Sequence, residues 1–111
     1  MQLLDTKTRD EIEYYLPDTA TACKLADFFD VFSDSTRLRI LSALSVSEVC
    51  VNDLAEVLGM NQTTLSHQLR TLKDRGIILS KRQGKTVFYL LKDDSFNEIL
   101  LYAAERCLKE N

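Results

Sequence analysis

A mainly α-helical fold with one small β-hairpin is predicted by three observations. The 111 residues include only three Gly and one Pro, so segments run long between breaks. Apolar residues recur at helical spacing through most of the chain. The exception is IILSKRQGKTVFYLL (residues 77–91), where β-branched and aromatic residues lie on both sides of a glycine. A chain of this length holds one domain with a modest core. The expected organisation is an N-terminal arm or helix over residues 1–17 and a single domain over 18–111.

Taken in order, residues 5–16 read as a helix with a weak apolar face (Ile12, Tyr15, Leu16), ended by Pro17. Asp18 or Thr19 suits the cap of a second helix to about Phe32. Its stripe is Ala22, Leu25, Ala26, Phe29 and Phe32, with Cys23 beside it. Asp34 or Ser35 caps a third, with Leu38, Leu41 and Leu44 inward and Arg37 and Arg39 outward. SVSEVCV then reads as a short link.

Residues 51–75, VNDLAEVLGMNQTTLSHQLRTLKDR, look like two short helices joined by a tight turn. Leu54, Ala55 and Leu58 share one face of the first. Gly59 suits its stop, because glycine tolerates the left-handed cap conformation. Asn61 suits the next N-cap. On the second helix Leu65, Leu69 and Leu72 form a buried seam at i, i+4 and i+7, ending near Arg75 and Gly76. Gln62, Thr63, Thr64, Ser66, His67 and Arg70 are left outside that seam, near the helix N-terminus. Such side chains reach base edges and phosphates when a helix lies in a major groove. This is the layout of a helix-turn-helix with the reading helix second. An ordinary αα-hairpin with a solvated polar face has the same periodicity.

The hairpin follows at once, with strands expected at 77–81 and 86–91 and a turn over Arg82-Gln83-Gly84-Lys85. Lys81, Arg82 and Lys85 cluster at its tip, suited to phosphates or a minor groove. A last helix is expected from Ser95, with Ser95 and Glu98 as a capping box. Its stripe is Phe96, Ile99, Leu100, Ala103, Ala104, Cys107 and Leu108, with Leu101 and Tyr102 alongside. A terminal helix this apolar calls for a partner: the 18–32 helix and a second subunit.

The net charge of −3 conceals an asymmetry. Residues 1–35 carry three Lys/Arg against eight Asp/Glu, residues 36–92 nine against four, and residues 93–111 two against five. The basic excess therefore sits in the segment holding the helix-turn-helix and hairpin, as local DNA contact requires. No apolar run approaches the ~18 residues of a membrane span, and the N-terminus lacks the pattern of a secretory signal. Three widely spaced Cys fit a reduced, cytoplasmic protein better than a disulfide framework. No phosphate-binding Gly-rich loop or nucleophile–His pairing is visible, so no enzyme is expected.

With these features in order, the chain resembles the ArsR/SmtB family of winged helix-turn-helix repressors from about Ala22 to its end. The resemblance is carried by DSTRLRIL (34–41), EVCVNDLAEVLG (48–59), TTLSHQLRTLKDRGII (63–78) and KRQGKTVFYLL (81–91). It implies a winged helix-turn-helix that dimerises through its first and last helices. It also implies a homodimer on a palindromic operator of double-stranded DNA, released by a metal ion or a thiol-reactive signal. Gln62, Thr63, Ser66 and His67 then fall at positions contacting bases or adjacent phosphates, with Thr64, Arg70, Lys81, Arg82, Gln83 and Lys85 around them. The competing class is a winged-helix module that docks protein without specific DNA binding, which the acidic net charge favours.

The sensor is where the chain departs from the family pattern. Cys50 and Asp53 match the family's Cys-x-x-Asp half-site, but Asn52 stands where a second thiolate can occur, and no Cys or His precedes Cys23. At the family's other site, on the last helix, Asp94 and Glu110 match, Phe96 cannot bind metal, and Cys107 replaces an imidazole. Zinc or another thiophilic metal is one expectation. Thiol chemistry without a cofactor is the other, with Cys23 and Cys107 a candidate pair on neighbouring interface helices. Each cysteine also has an ordinary reading as a small buried hydrophobe.

Overall fold

The computed structural model describes residues 3–109, which fall into two compact units divided between Val31 and Phe32. Glu110, one of the candidate ligands, lies outside the described residues.

The first unit holds α1 (Thr6–Tyr15) and α2 (Thr19–Asp30). Each begins on an aspartate whose carboxylate accepts a backbone N–H three residues on: Thr8 to Asp5 over 2.7 Å and Thr21 to Asp18 over 2.8 Å. These hydrogen bonds favour the charged form and hold both carboxyls below the usual Asp value. The stripe expected along α2 stands open, with Phe29 57% exposed. α2 also stops earlier than expected, giving way to a 3₁₀ turn at Val31–Ser33.

The second unit contains α3 (Ser35–Val46), β1 (Val49–Cys50), α4 (Val51–Leu58), α5 (Gln62–Asp74), β2 (Ile78–Gln83), β3 (Thr86–Leu91) and α6 (Ser95–Leu108). Its core joins Ile40, Leu41 and Leu44 of α3 to Leu54, Ala55 and Leu58 of α4 and the Leu65–Leu69–Leu72 seam of α5, with Ile77, Ile78 and Phe96. On α3 the inward set differs from the expected one: Ile40 is buried and Leu38 only half-buried. Arg39 does not simply point to solvent, since its guanidinium donates to the Leu58 carbonyl at the end of α4. Arg37 is half-buried and its backbone N–H donates to the capping carboxylate of Asp34.

Both helices of the helix-turn-helix end in the same way. Gly59 and Gly76 adopt φ of +67° and +74°. The Met60 and Ile77 N–H groups fold back onto the Ala55 and Leu72 carbonyls, as the Gly59 and Gly76 N–H groups do onto Glu56 and Lys73. This is the Schellman arrangement, in which the left-handed glycine lets the chain turn and satisfies terminal carbonyls. It makes the turn between α4 and α5 tight and starts the hairpin directly after α5.

The supposed link SVSEVCV contains a strand. β1 pairs antiparallel with β3, Val49 with Tyr89 and Cys50 with Phe88, giving a three-stranded sheet in the order β1-β3-β2. Two residues are too few to show a strand period in sequence. The hairpin loop is Gly84-Lys85 alone, between the paired Gln83 and Thr86, with Gly84 at φ +65°. Arg82 and Gln83 therefore lie in β2 with Lys81, not in the turn. The expected capping box on α6 does not form. Asp93 accepts from both the backbone N–H and the hydroxyl of Ser95, so the serine donates where a cap would accept. These two bonds, the hydroxyl's first, hold the Asp93 carboxyl below the usual value.

Candidate nucleic-acid interface

Asn61 sets the start of α5, its side-chain oxygen accepting from Thr63 and Thr64 N–H over 2.8 and 3.3 Å. With the leucine seam buried, Gln62, Thr63, Thr64, Ser66, His67 and Arg70 are all exposed. Five of them, all but Thr64, line one open groove of about 430 Å³. The groove holds hydroxyls, an amide, an imidazole and a guanidinium, a set able to donate and accept at base edges and to meet phosphate.

Arg82, Gln83 and Lys85 are exposed on the hairpin. Lys81 is also exposed but is already engaged, its Nζ lying 2.9 Å from the Glu48 carboxylate. A second contact ties the hairpin to α5: Lys73 in its last turn donates to the Ser80 hydroxyl over 2.7 Å. A cleft of about 330 Å³ lies between helix and hairpin, lined by Cys50, Val51 and Asn52, by Ser66 of α5, and by Lys85, Thr86, Val87 and Tyr89. Glu48, Asn52, Lys73 and Ser80 were not legible as site residues. They are brought there by the pairing of β1 with β3 and by the Gly76 turn.

The described candidate sensor residues differ in their exposure. Cys50 is half-buried at the N-cap of α4, makes no capping hydrogen bond, and has Asp53 in the first turn of the same helix. Cys107 lies on α6 but is exposed, not centred on a buried stripe, and Cys23 on α2 is exposed too. Asp94 is the exposed N-cap of α6 and holds no side-chain cap bond. Among the described residues no three His, Cys, Asp or Glu side chains come together to hold a metal ion. Within one chain, then, the described donors do not come together as a four-coordinate site.

Two short helices with the polar face of the second exposed, followed at once by a basic hairpin, define a winged helix-turn-helix DNA-binding domain. The profile described as "Bacterial regulatory protein, arsR family" matches residues 34–80. The transcriptional repressor SmtB homolog of Synechocystis sp. is 40% identical over 73 residues, covering 66% of this chain and 55% of that one. This chain thus spans about half the length of that relative. The cadmium resistance transcriptional regulatory protein CadC homolog of Staphylococcus aureus is 33% identical over 106 residues, covering 86% and 88%. The crystal structure of the AntR antimony-specific transcriptional repressor matches with a TM-score of 0.76 and 32% identity, covering 99% of this chain and 96% of that one. The chain belongs to the ArsR family of bacterial transcriptional regulators. Membership sets aside the reading as a protein-docking module. Among the described residues no helix is long and apolar enough to cross a membrane.

Proposed function

We propose that this chain is a homodimeric, cytoplasmic repressor that lays α5 in the major groove of a palindromic operator and is released when its cysteines meet a thiophilic or thiol-reactive signal. The observation that carries the DNA reading is an exposed groove formed by Gln62, Thr63, Ser66, His67 and Arg70 beside a hairpin bearing Arg82 and Lys85. Base specificity comes from the groove residues, and register and orientation from the hairpin cations on phosphates. The dimer is supported by α6, where Leu101, Tyr102 and Leu108 are 63, 68 and 72% exposed. Apolar surface of this kind is covered when two copies pair.

The signal is supported by relatives whose names specify cadmium resistance and antimony, thiol-seeking elements. The half-buried Cys50 is the first candidate to receive it. It is among the residues lining the cleft shared by Ser66 of α5 and Lys85 of the hairpin, so a change at this position lies next to both parts proposed to meet DNA. Zinc or another thiophilic ion held between subunits, and covalent modification of the thiolate, are the two forms of this signal.

Binding to duplexes containing candidate palindromes, and to random duplex, across a salt series tests the DNA reading. Affinity falls steeply with salt when cations displace counterions from phosphate, and the double variant Arg82→Ala/Lys85→Ala flattens the slope by roughly one unit per lost contact. A slope identical to the parent's means the hairpin does not touch DNA.

A further inference from the structure

Lys81, Phe88 and Cys50 stand directly opposite one another across β2, β3 and β1. Their side chains therefore rise from the same face of the sheet. Glu48 lies two residues before Cys50, and the Lys81–Glu48 pair spans the central strand to close over 2.9 Å. Glu48 is one of only four acidic residues in the basic stretch 36–92, and it is held on a cation of the hairpin. Both partners are open to solvent, at 43% and 37% exposure, so either can be reached by a competing ion.

We propose that Glu48 is a residue that limits DNA affinity, by holding Lys81 across the sheet and withholding one hairpin cation from phosphate. The inference rests on the reading that the hairpin contacts the DNA backbone. A lysine bound to carboxylate counts little toward counterion release. If it leaves for phosphate, the abandoned carboxylate takes up a cation, and the net release is again reduced. Either way the pair subtracts from the salt-dependent part of binding. The same part is blind to sequence, so Glu48 lowers affinity for all DNA and leaves discrimination to α5.

The parent, Glu48→Gln, Lys81→Gln, the double variant carrying both, and Arg82→Ala/Lys85→Ala are compared on random duplex through a salt series. Glutamine keeps the shape of each exposed site near enough that folding is retained. Glu48→Gln steepens the log–log salt slope by about 0.9, the increment of one phosphate contact. It raises affinity by up to about fivefold, the worth of an exposed ion pair. In the double variant both gains vanish and the slope equals that of Lys81→Gln. A parental slope in Glu48→Gln overturns the inference. So does an equal gain on the Lys81→Gln background, which assigns the effect to general charge and not to Lys81. A flattened Arg82→Ala/Lys85→Ala slope beside a parental Glu48→Gln slope overturns only the role of Glu48. If neither departs from the parent, the hairpin reading fails with it.

Discussion

The Lys73 ammonium donates to the Ser80 hydroxyl over 2.7 Å, joining the last turn of α5 to the first half of β2. On the next residue, Lys81 is drawn toward Glu48. Alternation along the strand sends these two side chains to opposite faces, so the hairpin is tethered from both. Ser80→Ala removes one tether without removing a cation. Affinity for operator and random duplex should fall together while the salt slope stays parental. The unfolding free energy should move by less than about 1 kcal/mol, since the bond is exposed. A change in slope instead would mean that Ser80 influences phosphate contacts directly.

Base readout is predicted to rest on Gln62 and His67, exposed in the same groove. Gln62→Ala and His67→Ala should each cost operator binding ~1–3 kcal/mol relative to random duplex, the usual worth of a base contact. Competition binding against both DNAs measures the difference. Equal losses on both would reassign these side chains to the backbone.

Acid should fray three helices. The carboxyls of Asp5, Asp18 and Asp93 are all held below the usual 3.8 by hydrogen bonds they accept. A group with a depressed folded value protonates more readily in the unfolded chain. Its contribution is therefore complete above the unfolded value and is lost as pH falls through the folded one. Helical circular dichroism should thus be flat from neutrality to about pH 4 and decline below it. Asp18→Asn keeps a capping oxygen that does not titrate, so its decline should be smaller. Matching curves for parent and variant would show that this cap does not drive the transition.

The cysteines are tested by Cys50→Ser and Cys107→Ser, each assayed for release from operator by cadmium, zinc, antimony(III) or arsenic(III), peroxide and persulfide. Both variants should bind DNA normally when untreated. Cys50→Ser should lose its response, because Cys50 is among the residues lining the cleft with Ser66 and Lys85. Reciprocity also requires that the effective signal bind the protein–DNA complex more weakly than the free protein. Two variants that respond as the parent does would make the thiols packing residues.

Much of this was determined along the chain itself. Asn61 and the Leu65–Leu69–Leu72 seam fix which face of α5 is exposed. Gly59 and Gly76 mark where the helices stop, and Gly84 where the hairpin turns. These are local effects: a cap, a period, a left-handed φ, each set by a few neighbouring residues. Even so, local pattern misled at Ser95, where a competing carboxylate two residues earlier turned an acceptor into a donor.

Tertiary structure decided what depends on partners distant in sequence. Val49 and Cys50 become a strand only because β3, some forty residues on, offers its free edge. That pairing brings Glu48 within reach of Lys81 and places Cys50 in one cleft lining with Ser66 and Lys85. Arg39 finds the Leu58 carbonyl across helix packing, nineteen residues away. None of these contacts carries a period or a motif. Each follows from a long-range closure in which backbone hydrogen bonds and buried leucines choose the geometry, and the charged side chains take the partners it leaves within reach.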